Sequence, residues 1–247
     1  MQIDLNGKLV FISGGTGSVG SALVELFSLS GGKVTFQYAS NHDYAKSLER
    51  KFSAKGLKLN SQDDDYCELN KFDIIVNNLG INKSRHLTHE TSDEELAETI
   101  NTNLLFSFKI IRQVLPYMVD KSWGRIVNIS SIYGLRGSEY NMPYNVSKHG
   151  LSGLTKSVSK EYAKFGITCN EICPGPIESE LMARIANEKA QLANLSKEDY
   201  LDGVRLSIPA KRMANPLEIA YLALFLASDF AGYINGVSIP IDGGLIA

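Results

Sequence analysis

Leu9-Val10-Phe11-Ile12-Ser13-Gly14-Gly15-Thr16-Gly17-Ser18-Val19-Gly20 is the stretch on which the fold turns. A short apolar run meets a glycine-rich turn, and apolar residues at helical spacing come next over Ala22–Leu29. Gly15, Gly17 and Gly20 satisfy G-x-G-x-x-G. Between a strand and a helix, that spacing permits a tight turn, close approach of backbone to a pyrophosphate, and close packing of helix on strand. Exposed N–H groups at such a helix start, reinforced by the helix dipole, favour an anionic ligand. Gly14, Gly15, Thr16, Gly17, Ser18, Val19 and Gly20 are therefore candidate dinucleotide-binding residues, against the plainer reading of a glycine-rich turn.

The rhythm continues outward from this loop. Candidate strands are Leu9–Ser13, Val34–Tyr38, Leu57–Ser61, Asp73–Asn77, Arg125–Ser131, Ile167–Ile172 and Val237–Ile241, with helical segments such as Leu96–Met118 between most of them. Strands alternating with helices predict a single doubly wound α/β domain of Rossmann type, its mostly parallel sheet covered on both faces. Two segments break the pattern. Gln62–Phe72 is too short for a crossover helix with its loops, and Glu178–Met213 is a long polar insertion expected to act as a mobile lid over the substrate.

Bulk properties narrow the function. A chain of 247 residues with 44% hydrophobic and 21% charged residues suits a globular protein with a sizeable core. A net charge of −2 argues against nucleic acid and anionic membrane as partners. Cys67, Cys169 and Cys173 are an odd count without metal-ligand spacing, so reduced thiols in a cytoplasmic protein are expected, with no metal. The N-terminus has the pattern of neither a signal nor a transit peptide, and no apolar run is long enough to span a bilayer.

The second strand ends Phe36-Gln37-Tyr38-Ala39-Ser40-Asn41, with no carboxylate before Asp43. An acid there would bind a ribose 2′-hydroxyl and favour NAD. Its absence removes repulsion against a 2′-phosphate, so NADP(H) is favoured, with NAD(H) still open. Ser40 and Asn41 are candidate donors to that phosphate, Lys46 a nearby cation, and Tyr38 a further contact; no arginine lies near to clamp it. Asp43 is equally a first-turn helix acid or N-cap.

Tyr144-Asn145-Val146-Ser147-Lys148 lies early in a helical stretch running to Phe165. An i, i+4 pair shares one helix face about 6 Å apart along the axis. An ammonium beside a phenol favours the phenolate, which makes tyrosine a usable acid/base near neutrality. A tyrosine stacked on lysine at the surface is the alternative. Upstream, Gly124–Ser131 is a buried strand ending in two hydroxyls, and Asp73–Gly80 ends in Asn77-Asn78-Leu79-Gly80 at the same sheet edge, where doubly wound folds place ligands.

Taken together, the chain resembles the short-chain dehydrogenase/reductase family in its compact branch, most closely the 3-oxoacyl-acyl-carrier-protein reductases. The resemblance spans the glycine loop, Asn77-Asn78-x-Gly80, Asn103-Leu104, Ser131, Tyr144-x-x-x-Lys148, Pro174-Gly175-Pro176-Ile177 and the ending Ile239–Gly244. It implies that Tyr144 is the acid/base, that Ser131 polarises the carbonyl, and that Lys148 binds the nicotinamide ribose and lowers the tyrosine pKa. It further implies that Asn103 holds a water continuing the proton relay, a polar residue at a helix kink being the alternative. Asn78 would brace the central strands, Gly80 would lie at the cofactor, and Pro174, Gly175 and Ile177 would line the nicotinamide side.

The implied reaction is hydride transfer from NADPH to a ketone, with Tyr144 donating the proton. A 3-oxoacyl thioester, small or carrier-bound, is the expected substrate, an acyl carrier protein a possible partner, and a homo-tetramer packed through Leu96–Met118 and Tyr144–Phe165 the expected assembly. Lys121, Arg125 and Lys164 could meet an acidic carrier or form an ordinary solvated face. An alcohol, steroid or sugar dehydrogenase is the alternative within the class, and a non-catalytic dinucleotide sensor or scaffold the alternative outside it. Departures from the family pattern concern the cofactor. Ser13 replaces a threonine, Ser18 the middle glycine of T-G-x-x-x-G-x-G, and Leu79 an alanine. The shortened crossover leaves Asp63, Asp64 and Asp65 as candidates for the adenine contact, and weakened or altered cofactor binding is expected.

Overall fold

The computed structural model describes residues 3–61, 66, 69–83 and 86–247. Its strands are β1 (Leu9–Ile12), β2 (Lys33–Tyr38), β3 (Lys55–Lys58), β4 (Ile74–Asn77), β5 (Gly124–Ile129), β6 (Ile167–Pro174) and β7 (Ser238–Ile241). They form one sheet in the order β3-β2-β1-β4-β5-β6-β7, every pairing parallel. The helices are α1 (Ser18–Leu29), α2 (His42–Phe52), α3 (Asp93–Ile100), α4 (Phe106–Lys121), α5 (Met142–Tyr162), α6 (Glu180–Leu192), α7 (Lys197–Ser207) and α8 (Pro216–Leu226). This is the expected doubly wound architecture. The strand order reverses between β1 and β4, which opens a crevice at their carboxyl ends.

Strand periodicity builds a core on each face. Val10, Ile12, Val76 and Val127 point to one face and meet Leu23, Val24 and Phe27 of α1 and Leu224 of α8. Phe11, Ile75, Ile126 and Cys169 point to the other and meet Ile110, Ile111, Val114 and Met118 of α4. The third strand lies two residues earlier than expected, because Lys55–Lys58 is the segment in register with Thr35–Tyr38. No α-helix covers the shortened crossover among its described residues. Tyr66 and Leu69 pack there instead, with the Tyr66 ring 5.8 Å from that of Phe106. Asp63, Asp64, Asp65 and Cys67 lie outside the described residues.

The expected continuous helix over Leu96–Met118 is a correction. α3 and α4 are separated by a π-helical turn over Asn101–Leu105. α5 ends at Tyr162 and gives way to a 3-10 turn over Ala163–Phe165, closed by Gly166 at φ 71°. Within the long insertion, α6 and α7 pack through Ala186, Leu201, Ile208 and Met213 into a small core of their own.

Candidate active site

α5 opens with Pro143 in its first turn, where a missing N–H costs nothing. It thereby sets Tyr144 and Lys148 on one face toward the carboxyl end of β5. Tyr144, Lys148, Ser131, Asn78, Gly80, Pro174, Gly175 and Ile177 line one pocket. Tyr144 is half-buried, whereas Lys148 is 3% exposed. The Lys148 Nζ donates to the Ile129 carbonyl at 2.9 Å and lies 5.6 Å from the Tyr144 ring centroid. Ser131 is buried just past β5, where its Oγ accepts from the Tyr133 N–H at 3.2 Å and its side chain hydrogen-bonds Tyr144.

Burial dominates the protonation of both groups. It pushes the Tyr144 phenol up to about 12, against the lowering effect of the Ser131 hydrogen bond. The phenol therefore keeps its proton at neutral pH. Lys148 is itself desolvated, and its Nζ is turned to the Ile129 carbonyl. Burial takes the Lys148 ammonium down to about 8, opposed by the Glu171 carboxylate. Glu171 is fully buried on β6 and accepts from Ser152 Oγ at 2.8 Å and from Ser238 Oγ at 2.6 Å.

Asn103 stands inside the π turn and is fully buried. Its Oδ1 accepts from the Ile81 N–H at 2.8 Å, and its Nδ2 donates to the Ile81 carbonyl and to Ser147 Oγ, each at 3.0 Å. Its placement thus matches the helix-irregularity reading while keeping it beside Lys148. A Cβ added to Gly80 would sit 3.4 Å from Lys148 Nζ and 3.6 Å from Asn103 Oδ1. The bare glycine leaves a small polar gap between them.

A second cleft adjoins this pocket and shares Asn78, Gly80, Ile81, Ile177, Ser179 and Leu181 with it. Thr16, Gly17, Ser18, Val19, Gly20, Tyr38, Ser40 and Leu79 complete much of its wall. A Cβ on Gly15 would strike Phe36 at 2.6 Å, and one on Gly20 would collide with the Gly14 carbonyl oxygen. Both glycines are therefore demanded by packing, and Gly14 by its φ of 66°. Gly17 meets nothing nearer than 3.5 Å, so the protein alone does not require a glycine there. It is also the N-cap of α1 and supplies no side-chain cap, which leaves the first N–H groups of that helix for an anion. The donor set and the missing acid at the end of β2 fit a phosphate-bearing dinucleotide.

The remaining residues singled out by the sequence have mixed fates. Ser13 Oγ accepts from the N–H groups of Asn78 at 2.9 Å and Leu79 at 3.0 Å, and Asn78 Nδ2 donates to the Ser13 and Gly14 carbonyls at 3.1 and 3.2 Å. These bonds tie β1 to β4 at the crevice. Asn41 is the N-cap of α2, accepting from the Tyr44 N–H at 3.4 Å, and does not line the cleft. Asp43 is a first-turn acid of that helix, Lys46 is held by Glu49 at 2.6 Å, and Tyr38 Oη is 2.8 Å from His42 Nδ1. Arg125 is a correction: it is 5% exposed and donates to the carbonyls of Gly124, Gly166 and Ser228, so it cannot meet a carrier. Lys121 pairs with buried Asp73 at 2.8 Å, and Lys164 lies over the Phe165 ring.

Four residues at these sites escaped sequence reasoning. Gln37 accepts from the Gly14 N–H at 2.8 Å and donates to the Leu59 carbonyl at 2.6 Å, which braces the glycine loop. A lone polar residue in an apolar strand was its signal. Ser179 caps α6 and faces both clefts; a serine before a helical run marks a cap but not a site. Arg184 and Glu171 reach the clefts and the lysine only through tertiary folding.

Among the described residues no helix is long and apolar enough to cross a membrane, and no cluster of metal-ligating side chains occurs. The family model described as enoyl-(acyl carrier protein) reductase matches residues 14–246. The chain is 35% identical over 246 residues to the acetoacetyl-CoA reductase of Rhizobium meliloti (strain 1021), covering 96% of this chain and 98% of that one. It is 36% identical over 252 residues to the 3-oxoacyl-(acyl-carrier-protein) reductase of Rickettsia conorii (strain ATCC VR-613 / Malish 7), covering 99% of each. Among solved structures, a variant of actinorhodin polyketide ketoreductase with NADPH is similar at TM-score 0.91 and 27% identity, covering 96% of this chain and 97% of that one. L-Sorbose reductase from Gluconobacter frateurii, complexed with NADPH and L-sorbose, is similar at TM-score 0.91 and 27% identity over 100% of both chains. With a family model spanning nearly its whole length and relatives of this kind, the chain belongs to the short-chain dehydrogenase/reductase family of oxidoreductases.

Proposed function

We propose that this protein reduces the ketone of a 3-oxoacyl thioester, linked to coenzyme A or to an acyl carrier protein, with NADPH as reductant. The observation that carries the reading is the meeting of Ser131, Tyr144 and Lys148 in one pocket that opens into the glycine-loop cleft. The near-full-length similarity to acetoacetyl-CoA and 3-oxoacyl reductases supports the substrate class.

Bound NADPH would supply the hydride to the carbonyl carbon, held by the glycine loop, Ser40, Asn78 and the Pro174–Ile177 turn. Ser131, whose oxygen accepts from the Tyr133 N–H and whose side chain also reaches Tyr144, would turn its O–H to the substrate oxygen. Tyr144 gives its proton to that oxygen as negative charge develops on it, and its raised pKa keeps it in the donating form. Lys148, lowered toward neutrality, would restore the proton and would hold the nicotinamide ribose. The polar gap at Gly80 would hold a water between Lys148 Nζ and Asn103 Oδ1, continuing the relay.

On this reading the whole chain is one catalytic domain working in the cytoplasm, with residues 178–213 as its lid. Assembly into a tetramer is part of the same proposal. A groove between α4 and α5 lined by Phe108, Ile111, Leu115, Pro116, Leu154 and Val158 offers an apolar contact face. A sugar ketone is the second reading, favoured by the equal fold similarity to L-sorbose reductase.

Following the loss of NADPH absorbance with acetoacetyl-CoA and with L-sorbose tests both. Turnover on the thioester and none on the sugar supports the first reading. Turnover on the sugar alone overturns it.

A further inference from the structure

The glycine-loop cleft suits an anionic ligand, yet no lysine or arginine from the strand end beside it lines the cleft. Lys46 is bound by Glu49, and Arg50 Nε donates to the Lys46 carbonyl at 3.2 Å. Among the described residues lining the cleft, Arg184 of α6 is the one cation and Glu180 the one acid. Arg184 sits one turn after Glu180 on the same helix face. Its charged partner among the described residues is Glu188 at 4.0 Å, the outer limit of an ion pair, and its side chain is 61% exposed. The guanidinium therefore keeps its donors for a ligand.

A second observation fixes how the helix arrives. The Glu180 N–H donates to Ser18 Oγ at 3.4 Å. Ser18 stands where the family pattern has the middle glycine of the loop, and its hydroxyl bridges the loop to the first turn of α6. That bond places the start of the helix beside the glycine turn, and Arg184 lines the same cleft as Thr16, Gly17 and Ser18.

We propose that Arg184 is the phosphate clamp of the cofactor cleft, carried in by α6 and registered there by the hydrogen bond between Ser18 and the Glu180 backbone. The inference rests on the reading that the cleft holds NADP(H). Its ligand chemistry is a phosphate oxygen accepting from a guanidinium, and both the pyrophosphate and the 2′-phosphate offer one.

The test is equilibrium binding of NADPH and NADH to the intact protein, by calorimetry and by enhancement of nucleotide fluorescence. R184Q is expected to weaken NADPH by about tenfold or more, the loss of one charge-assisted hydrogen bond. Weakening of NADPH alone assigns the contact to the 2′-phosphate, and equal weakening of NADH assigns it to the pyrophosphate; either supports the clamp. The exposed position of Arg184 predicts an unchanged thermal midpoint, which separates this effect from misfolding. S18G is expected to weaken NADPH several-fold in the wild-type background and to add nothing in the R184Q background. Full additivity of the two substitutions would overturn the registering role of Ser18. Affinities of R184Q within twofold of wild type for both nucleotides would overturn the clamp while leaving the cofactor reading intact. A wild-type protein that binds neither nucleotide would remove both.

Discussion

Lys148 Nζ donates to the Ile129 main-chain carbonyl at 2.9 Å, which ties the charged end of an α5 side chain to the last residue of β5. Because that ammonium is buried and held near 8, it loses its proton as pH rises through that value. We expect kcat/KM for ketone reduction to stay level below pH 8 and to fall above it, as read from a pH–rate profile. The linkage to stability has the opposite sign. Between about 8 and the ordinary lysine value of 10.5 the unfolded chain binds the extra proton, so Lys148 makes stability rise with pH across that window. Lys148→Met should flatten that rise in urea unfolding and abolish the alkaline limb together with most turnover.

Glu171 supplies a separate handle on the same lysine. Its carboxylate is the largest influence opposing burial at Lys148, and it is fully enclosed. Glu171→Gln should therefore move the alkaline midpoint below about 8, while Glu171→Asp should restore it in part. An unmoved profile would show that the acid serves packing alone.

Tyr144→Phe removes the phenolic proton donor that lines the pocket with Ser131. We expect turnover to drop by about a hundredfold to ten-thousandfold. NADPH affinity and thermal midpoint should change little, because the ring and its edge contact with Tyr133 remain.

The two glycines of the turn should respond differently. Gly15→Ala drives a methyl group into Phe36 and should cost about 1–3 kcal/mol of stability, seen as a lowered thermal midpoint. Gly17→Ala meets no such obstacle and should leave the midpoint near wild type. Its cost should appear in nucleotide binding instead, because its methyl would point where a pyrophosphate approaches. A stable Gly17→Ala protein that binds NADPH normally would show that the turn is only structural.

Much of this molecule is legible in its sequence. The apolar strands, the glycine loop and the Tyr144–Lys148 spacing arise from periods of two and of about four that the chain carries locally. The features that escaped depend on contacts between distant segments. Arg125 is charged and looks exposed, but three carbonyls from three different segments enclose it. Arg184 lies more than a hundred residues from the loop it faces, on a polar helix whose direction no local pattern determines. The π turn is equally invisible, because its stabilising bonds run from Asn103 to Ile81 and Ser147.

That π turn sets a rule for inheritance. A π turn holds one residue more than the α-helical path it interrupts. An in-frame three-base deletion within the codons for Asn101–Leu105 would restore an uninterrupted helix, with better backbone geometry and the loss of one amino acid. Each residue removed rotates the downstream helix by about 100° around its axis. Either Asn103 would swing away from Ile81 and Ser147, or Ile110, Val114 and Met118 would leave the core. Among descendants of this gene, point substitutions should accumulate in the segment while its length stays constant.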